Sequence, residues 1–279
     1  MIIRCHGARG SVPVSGRRYL KYGGDTACLE IRSRNDQIII VDAGSGVRRL
    51  GNNLLRDGRF EYNFIFTHSH MDHILGFPFF KPIYDERTII QLLGCPEAQG
   101  DLKKLLARSM SAPFFPFPFE NLKATIHYSE ECALNFAIDS VEISSIHLSH
   151  PNVGEGYRFC EEGKHFVFLT DNELGFRHRN GKDFEEYVAF ARNADLLFHD
   201  AEYLPEEYSI KRTWGHSTYV DAVNLALKAN VKRLGLFHHN QDRSDAEMDG
   251  IVERCVAMIR EEGSPMECFA LTQNTEIVI

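Results

Sequence analysis

Residues 67–73 read Thr-His-Ser-His-Met-Asp-His, and four of these side chains can bind a metal ion. They follow directly on residues 62–67, an apolar run that predicts a β-strand. Alternate side chains of an extended segment share a face, so His68 and His70 can converge on one ion. Asp72 and His73 then fall in the following turn and can face a second ion beside it. Imidazole and carboxylate donors suit zinc, and they also accept the harder manganese. A single histidine would carry little weight, even among the 13 of this chain. Four ligand-type residues within six positions form a metal-site pattern.

Such a site needs a rigid support, and the rest of the chain supplies one. Ile-, Val- and Phe-rich runs predict strands over 2–8, 27–33, 37–42, 62–67, 87–93, 140–147, 164–170, 195–199, 232–237 and 266–278. Helical spacing fits 99–109, 182–193, 216–229 and 243–262, the third opening on Ser217 or Thr218 as a cap. Strands dominate early and helices sit between strand groups. This predicts an α/β fold of two sheets packed face to face with helices outside, not a strictly alternating doubly wound sheet. No repeat or composition shift divides the chain, so residues 1–279 are expected to form a single domain. Residues 110–122 break the rhythm with three prolines and four phenylalanines. That segment is expected either to pack on the core as a loop or to form an apolar arm at the site mouth or a dimer contact.

Composition narrows the function classes. With 43% hydrophobic and 25% charged residues the chain is neither disordered nor fibrous. A formal charge of −8 gives no general attraction to nucleic acid, although bound metal ions could supply local positive charge. The seven cysteines are scattered and lack a CxxC pair, which argues for reduced, mostly buried thiols instead of disulfides or a zinc knuckle. The absence of a signal-like apolar stretch or a membrane span leads to an expected cytoplasmic location.

The HxHxDH pattern resembles the central motif of the metallo-β-lactamase superfamily. The resemblance implies a four-layer αβ/βα sandwich with a dinuclear metal site at one edge, between the sheets. It matches Asp42 in IIVDAGSG to the carboxylate that orients the metal-binding loop, and His150 in HLSHP to the next ligand. Asp171 in FLTDNE matches the carboxylate that bridges the metals, and His238 in LGLFHHN the last histidine. His150, Asp171 and His238 each follow an apolar run, so they are expected at strand ends, where sites are built. His238 is preferred to His239 because it follows its run directly. The implied ligand sets are His68, His70, His150 and Asp171 for one ion, and Asp72, His73, Asp171 and His238 for the other. Both ions are expected to be zinc, with manganese as the alternative.

Three features point to one branch. Position 70 is His where redox di-iron relatives carry Glu, and position 171 is Asp where true β-lactamases carry Cys. Residues 199–203, HDAEY, and 215–218, GHST, are similar to the HEAT and HST elements of ribonuclease Z-like phosphodiesterases. That similarity makes His216 the acid that protonates the leaving oxygen and Asp200 the carboxylate that holds it, with Asp standing where ribonuclease Z has the longer Glu. Asp72 would both ligate a metal and orient the attacking hydroxide.

Ribonuclease Z carries a long arm for transfer RNA between its third and fourth motifs, yet His150 and Asp171 are only 21 positions apart. Basic residues come as scattered pairs, without the tract a polyanion would require. The expectation is therefore a dinuclear phosphodiesterase acting on a small diester such as a cyclic nucleotide, similar to bacterial cyclic-nucleotide phosphodiesterase-like proteins. Arg9, Ser11 and Asp25 of the opening segment would shape its pocket, unless they only form a glycine-rich turn. The alternatives are a ribonuclease Z-like RNA endonuclease, a lactone or thioester hydrolase, and a nucleotide sensor without turnover. A homodimer is plausible for the superfamily.

Overall fold

The computed structural model describes residues 1–93, 102–128 and 134–279. Its strands form two seven-stranded sheets. The first holds β1 (Ile2–Gly7), β2 (Cys28–Arg32), β3 (Ile38–Val41), β4 (Glu61–Ile65), β5 (Ile89–Leu93) and β6 (Thr125–Tyr128), with β14 (Glu276–Val278) beside β1. The second holds β7 (Asn135–Ile138), β8 (Val141–Leu148), β9 (Gly154–Glu161), β10 (Lys164–Leu169), β11 (Leu196–Asp200), β12 (Arg233–Phe237) and β13 (Glu267–Ala270). Both are mixed: β3 to β6 and β10 to β13 run parallel, and the other pairs are antiparallel.

Strand alternation explains the layering. In β10, Phe166 and Phe168 point between the sheets, and Val167 and Leu169 point outward under helices. In β3, Ile39 and Val41 face inward, Ile38 and Ile40 outward. Strands apolar on both faces must be covered on both faces. The helices are α1 (Val47–Arg56), α2 (Met71–Ile74), α3 (Leu102–Ser109), α4 (Phe184–Ala191), α5 (Pro205–Lys211), α6 (Tyr219–Lys228) and α7 (Asp245–Glu261). Leu50 and Leu54 of α1 and Leu106 of α3 cover the first sheet, while Val188, Val223 and Ile251 of α4, α6 and α7 cover the second. The architecture is the four-layer αβ/βα sandwich expected from the sequence.

Several local expectations change. The run 266–278 is two strands, not one: β13 ends the second sheet and β14 crosses to the first after a turn at Thr272–Thr275. Helix α1 escaped prediction because Gly51, Asn52 and Asn53 are poor helix formers and no side chain caps it. Helix α5 and strands β6, β7 and β9 were also unforeseen. Residues 99–101, the start of the predicted 99–109 helix, lie outside the described residues, as do Cys95 and Cys132. The Phe/Pro segment is divided: Met110 and Phe119 are buried on the outer layer of the first sheet, whereas Phe114 is 81% exposed. Cys5, Cys28, Cys160, Cys255 and Cys268 are free thiols, and burial pushes Cys5 up to about 12. No helix among the described residues is long and apolar enough to cross a membrane.

The first sheet also carries an acid-sensitive contact. Glu30 of β2 is buried and meets His6 Nε2 at 2.9 Å, Arg32 Nε at 2.6 Å and Arg4 Nη1 at 3.3 Å. Burial alone would raise its pKa, but the hydrogen bonds from His6 and Arg32 outweigh that and hold it down to about 2. An unfolded glutamate titrates near 4.3, so the folded state binds the proton less readily. The stabilisation, about 3 kcal/mol, is complete above that value and is lost as pH falls from about 5 to 2. Melting curves across this range should show Glu30→Gln markedly less stable at pH 7, with the gap to wild type closing toward pH 2. A constant gap would remove Glu30 as the cause.

Candidate active site

The chemistry-bearing side chains gather where strands of both sheets end. His68 lies three residues beyond β4, His150 and Asp171 two beyond β8 and β10, and His238 one beyond β12, while Asp200 closes β11. Asp42, Asp171 and His238 adopt positive φ, at 63°, 53° and 57°. A residue with a Cβ rarely takes that conformation, and where it does the strain tends to mark functional sites. Here the left-handed turn ends each strand abruptly and redirects its side chain.

The geometry divides into two clusters that share Asp171. In the first, one donor atom each from His68, His70, His150 and Asp171 lie within 4.8 Å of one another. In the second the same holds for Asp72, His73, Asp171 and His238. Asp171 Oδ2 faces His68 Nε2 at 3.5 Å and His150 Nε2 at 3.6 Å. Its Oδ1 faces His73 Nε2 at 3.3 Å and His238 Nε2 at 3.4 Å. One carboxylate thus offers an oxygen to each cluster.

The far sides of the imidazoles are held. His73 Nδ1 bonds Asp42 Oδ2 at 2.8 Å, and Asp42 also accepts from the Thr67 backbone N–H and hydroxyl. His238 Nδ1 bonds Glu202 Oε2 at 2.9 Å, His150 Nδ1 the Gly215 carbonyl at 2.9 Å, and His68 Nδ1 contacts the Thr67 hydroxyl at 3.1 Å. Such outer partners fix the tautomer and leave Nε2 directed at the centre. There, the buried Nε2 atoms of His68 and His73 have no hydrogen-bond partner among the described residues. Burial holds His150 down to about 3, assisted by the nearby His216, so its ring is neutral as a metal ligand must be. Burial would raise Asp171, but His238, His73 and His68 outweigh it and hold the carboxylate well below its usual range. Buried, convergent, unpartnered nitrogens around ionised carboxylates fit divalent cations.

His216 sits beside the second cluster. Its ring stacks on His238 with centroids 4.5 Å apart, and its Nδ1 bonds Asp200 Oδ2 at 2.7 Å. The shorter Asp side chain therefore reaches its partner. His216 Nε2 is 3.5 Å from Glu202 Oε2. Burial opposes charging of this ring, but Glu202 and Asp200 outweigh it and push its pKa up to about 9. An acid available at neutral pH results. His216 also groups with Asp171, Asp200 and His238 within 4.8 Å.

The remaining candidates separate. Ser11 reaches the site through its backbone N–H, which donates to Asp72 Oδ2 at 2.8 Å. Gly10 precedes it, and a Cβ there would lie 2.3 Å from the His238 ring, so only glycine permits this approach. Arg9 does not line the site: its buried guanidinium ties the carbonyls of Gly23, Asn240 and Arg243. Asp25 accepts instead from the Ser45 hydroxyl. His239 turns away to the Leu271 carbonyl. Glu202 and Thr67 were missed; the only sequence signal for Glu202 was a second carboxylate two residues after Asp200.

The fold and its two histidine–carboxylate clusters define a metal-dependent hydrolase. The Beta-lactamase superfamily domain matches residues 37–239, and the chain belongs to the metallo-β-lactamase superfamily, within its ribonuclease Z-like branch. It is 30% identical over 200 residues to ribonuclease Z of Sulfurisphaera tokodaii, covering 62% of this chain and 68% of that protein. Its fold is similar to that of human tRNase Z, short form, with a TM-score of 0.67, 18% identity and coverage of 100% and 99% of the two chains. Yeast PDE1 gives a TM-score of 0.66 at 14% identity, covering 99% of each chain.

Proposed function

We propose that the protein is a phosphodiesterase in which His68, His70, His150 and Asp171 hold one divalent ion and Asp72, His73, Asp171 and His238 a second. Bound there, zinc or manganese would bring a water's pKa toward neutrality and offset charge on the phosphoryl oxygens. The observation that carries the reading is His216, hydrogen-bonded to Asp200 beside the second cluster. Its proton is available to an alkoxide leaving group, a demand that phosphodiester cleavage makes and thioester cleavage, with its thiolate leaving group, does not. Asp200 and Glu202 keep that proton on the ring, and Asp72, held by the Ser11 N–H, orients the attacking water.

We infer a small substrate such as a cyclic nucleotide. The 20 residues between His150 and Asp171 are mostly taken up by β9, a tight turn at Glu162–Gly163 and β10, which leaves no arm for a folded RNA. RNA endonuclease activity is the second reading, favoured by the ribonuclease Z relatives. A panel of 2′,3′- and 3′,5′-cyclic nucleotides and a structured precursor transfer RNA, offered to zinc- or manganese-loaded protein, separates the two. Turnover of a cyclic nucleotide supports the first; cleavage of the RNA alone replaces it with the second; turnover of neither rejects both.

A further inference from the structure

Glu173 lies two residues beyond Asp171, is 1% exposed, and accepts four hydrogen bonds. Its Oε1 takes the Tyr208 hydroxyl at 2.7 Å and the Thr213 N–H at 2.8 Å. Its Oε2 takes the Gly215 N–H at 2.8 Å and His178 Nε2 at 2.8 Å. The carboxylate thus clamps the loop 213–215 by two of its backbone amides. The same loop supplies the Gly215 carbonyl that holds His150 Nδ1, and its next residue is His216. Gly215 itself has φ +95°, and a Cβ there would lie 2.1 Å from His150 Nδ1. This backbone is tightly constrained against the imidazole. On its other side, the Glu173 backbone N–H donates to the Ser149 carbonyl at 2.8 Å, next to His150.

We propose that Glu173 is a positioning residue that fixes the 213–216 loop, and through it orients both His150 and His216. It touches no reacting atom. The role assigned to His216 rests on the phosphodiesterase reading; the orientation of His150 does not. A carboxylate suits this position because all four partners donate. Glutamine has the same shape but only one acceptor oxygen. In either orientation its amide group faces one backbone N–H, of Thr213 or of Gly215, which cannot turn away.

The test compares wild type with Glu173→Gln and Tyr208→Phe in three measurements. In metal-free protein, amide exchange at Thr213–Gly215 should accelerate about tenfold or more in Glu173→Gln, the worth of hydrogen bonds to a charged group. Zinc affinity, by competition with a chromophoric chelator, should fall about 10- to 100-fold, as for other partners of a ligating histidine. With saturating metal, kcat on a series of aryl methyl phosphodiesters should fall about a hundredfold for phenolate and much less for p-nitrophenolate, which needs no acid. If Glu173→Gln does not fold, Tyr208→Phe alone should speed exchange by about three- to tenfold. A folded Glu173→Gln with wild-type exchange and zinc affinity overturns the proposal, as does wild-type exchange in Tyr208→Phe when it must stand alone. Should His216→Ala leave the leaving-group dependence unchanged, the acid role of His216 fails, while exchange and zinc affinity still judge Glu173.

Discussion

His216→Ala lowers kcat on a ribose-leaving diester by about a hundredfold or more, within the range of a general acid. The same substitution leaves hydrolysis of bis(p-nitrophenyl) phosphate within a few-fold of wild type, because p-nitrophenolate departs without a proton. The expectation follows from where His216 lies: its Nδ1 is held by Asp200 at 2.7 Å, and Glu202 stands 3.5 Å from Nε2. These carboxylates keep the ring charged against its burial. Truncation removes the proton donor while the eight-atom donor array around Asp171 is unchanged, so bound metal, measured by elemental analysis, should remain at the wild-type level. Equal losses on both substrates would mean that the ring acts on metal binding or substrate docking, and the acid role would then be withdrawn.

Metal removal is the second large effect. Stripping the protein with a chelator should abolish turnover and lower its melting temperature by roughly 10 °C. A ligand at a thousand times its Kd adds about 4 kcal/mol, and each kcal/mol is worth about 2–4 °C in a chain of this size. The donors explain the sign. Without cations, the Nε2 atoms of His68 and His73 are buried with no hydrogen-bond partner among the described residues, which is costly in a low-dielectric interior. In the metal-free chain burial resists charging of His73 and His238, yet Asp171 and the neighbouring carboxylates outweigh it and raise both. Binding a cation must therefore displace protons, so affinity weakens as pH falls. Isothermal titration in buffers of different ionisation enthalpy measures that release. A chelated protein with an unchanged melting temperature, or binding without proton release, would contradict this account of the clusters.

Much of this was legible in the sequence because the signals are local. HSHMDH is contiguous, and its spacing alone suggests two convergent pairs. The strands β3, β4, β10, β11 and β12 announce themselves through apolar runs, and β-pleat geometry follows from composition. Their carboxyl ends then bear His or Asp at positions the superfamily resemblance had singled out. What stayed hidden depends on contacts between segments distant in the chain. Glu202 reaches His238 across 36 positions, Ser11 reaches Asp72 across 61, and Glu173 reaches Gly215 across 42. Arg9 shows the converse case. An arginine in a glycine-rich opening was expected either to face a pocket or only to form a turn, and three backbone carbonyls claim it.

The sequence by itself determined the donor types near the site and the two-sheet pattern, because periodicity and short motifs encode strand faces and side-chain chemistry, and its resemblance to the superfamily pointed to the branch. Only the tertiary structure decided which oxygen of Asp171 serves which cluster, that Asp200 is long enough for His216, and that Glu173 joins the loop to the site. These depend on left-handed turns at Asp42, Asp171 and His238 and on the meeting of two sheets. Packing fixes such angles and distances to a fraction of an ångström, and no spacing along a single chain records them.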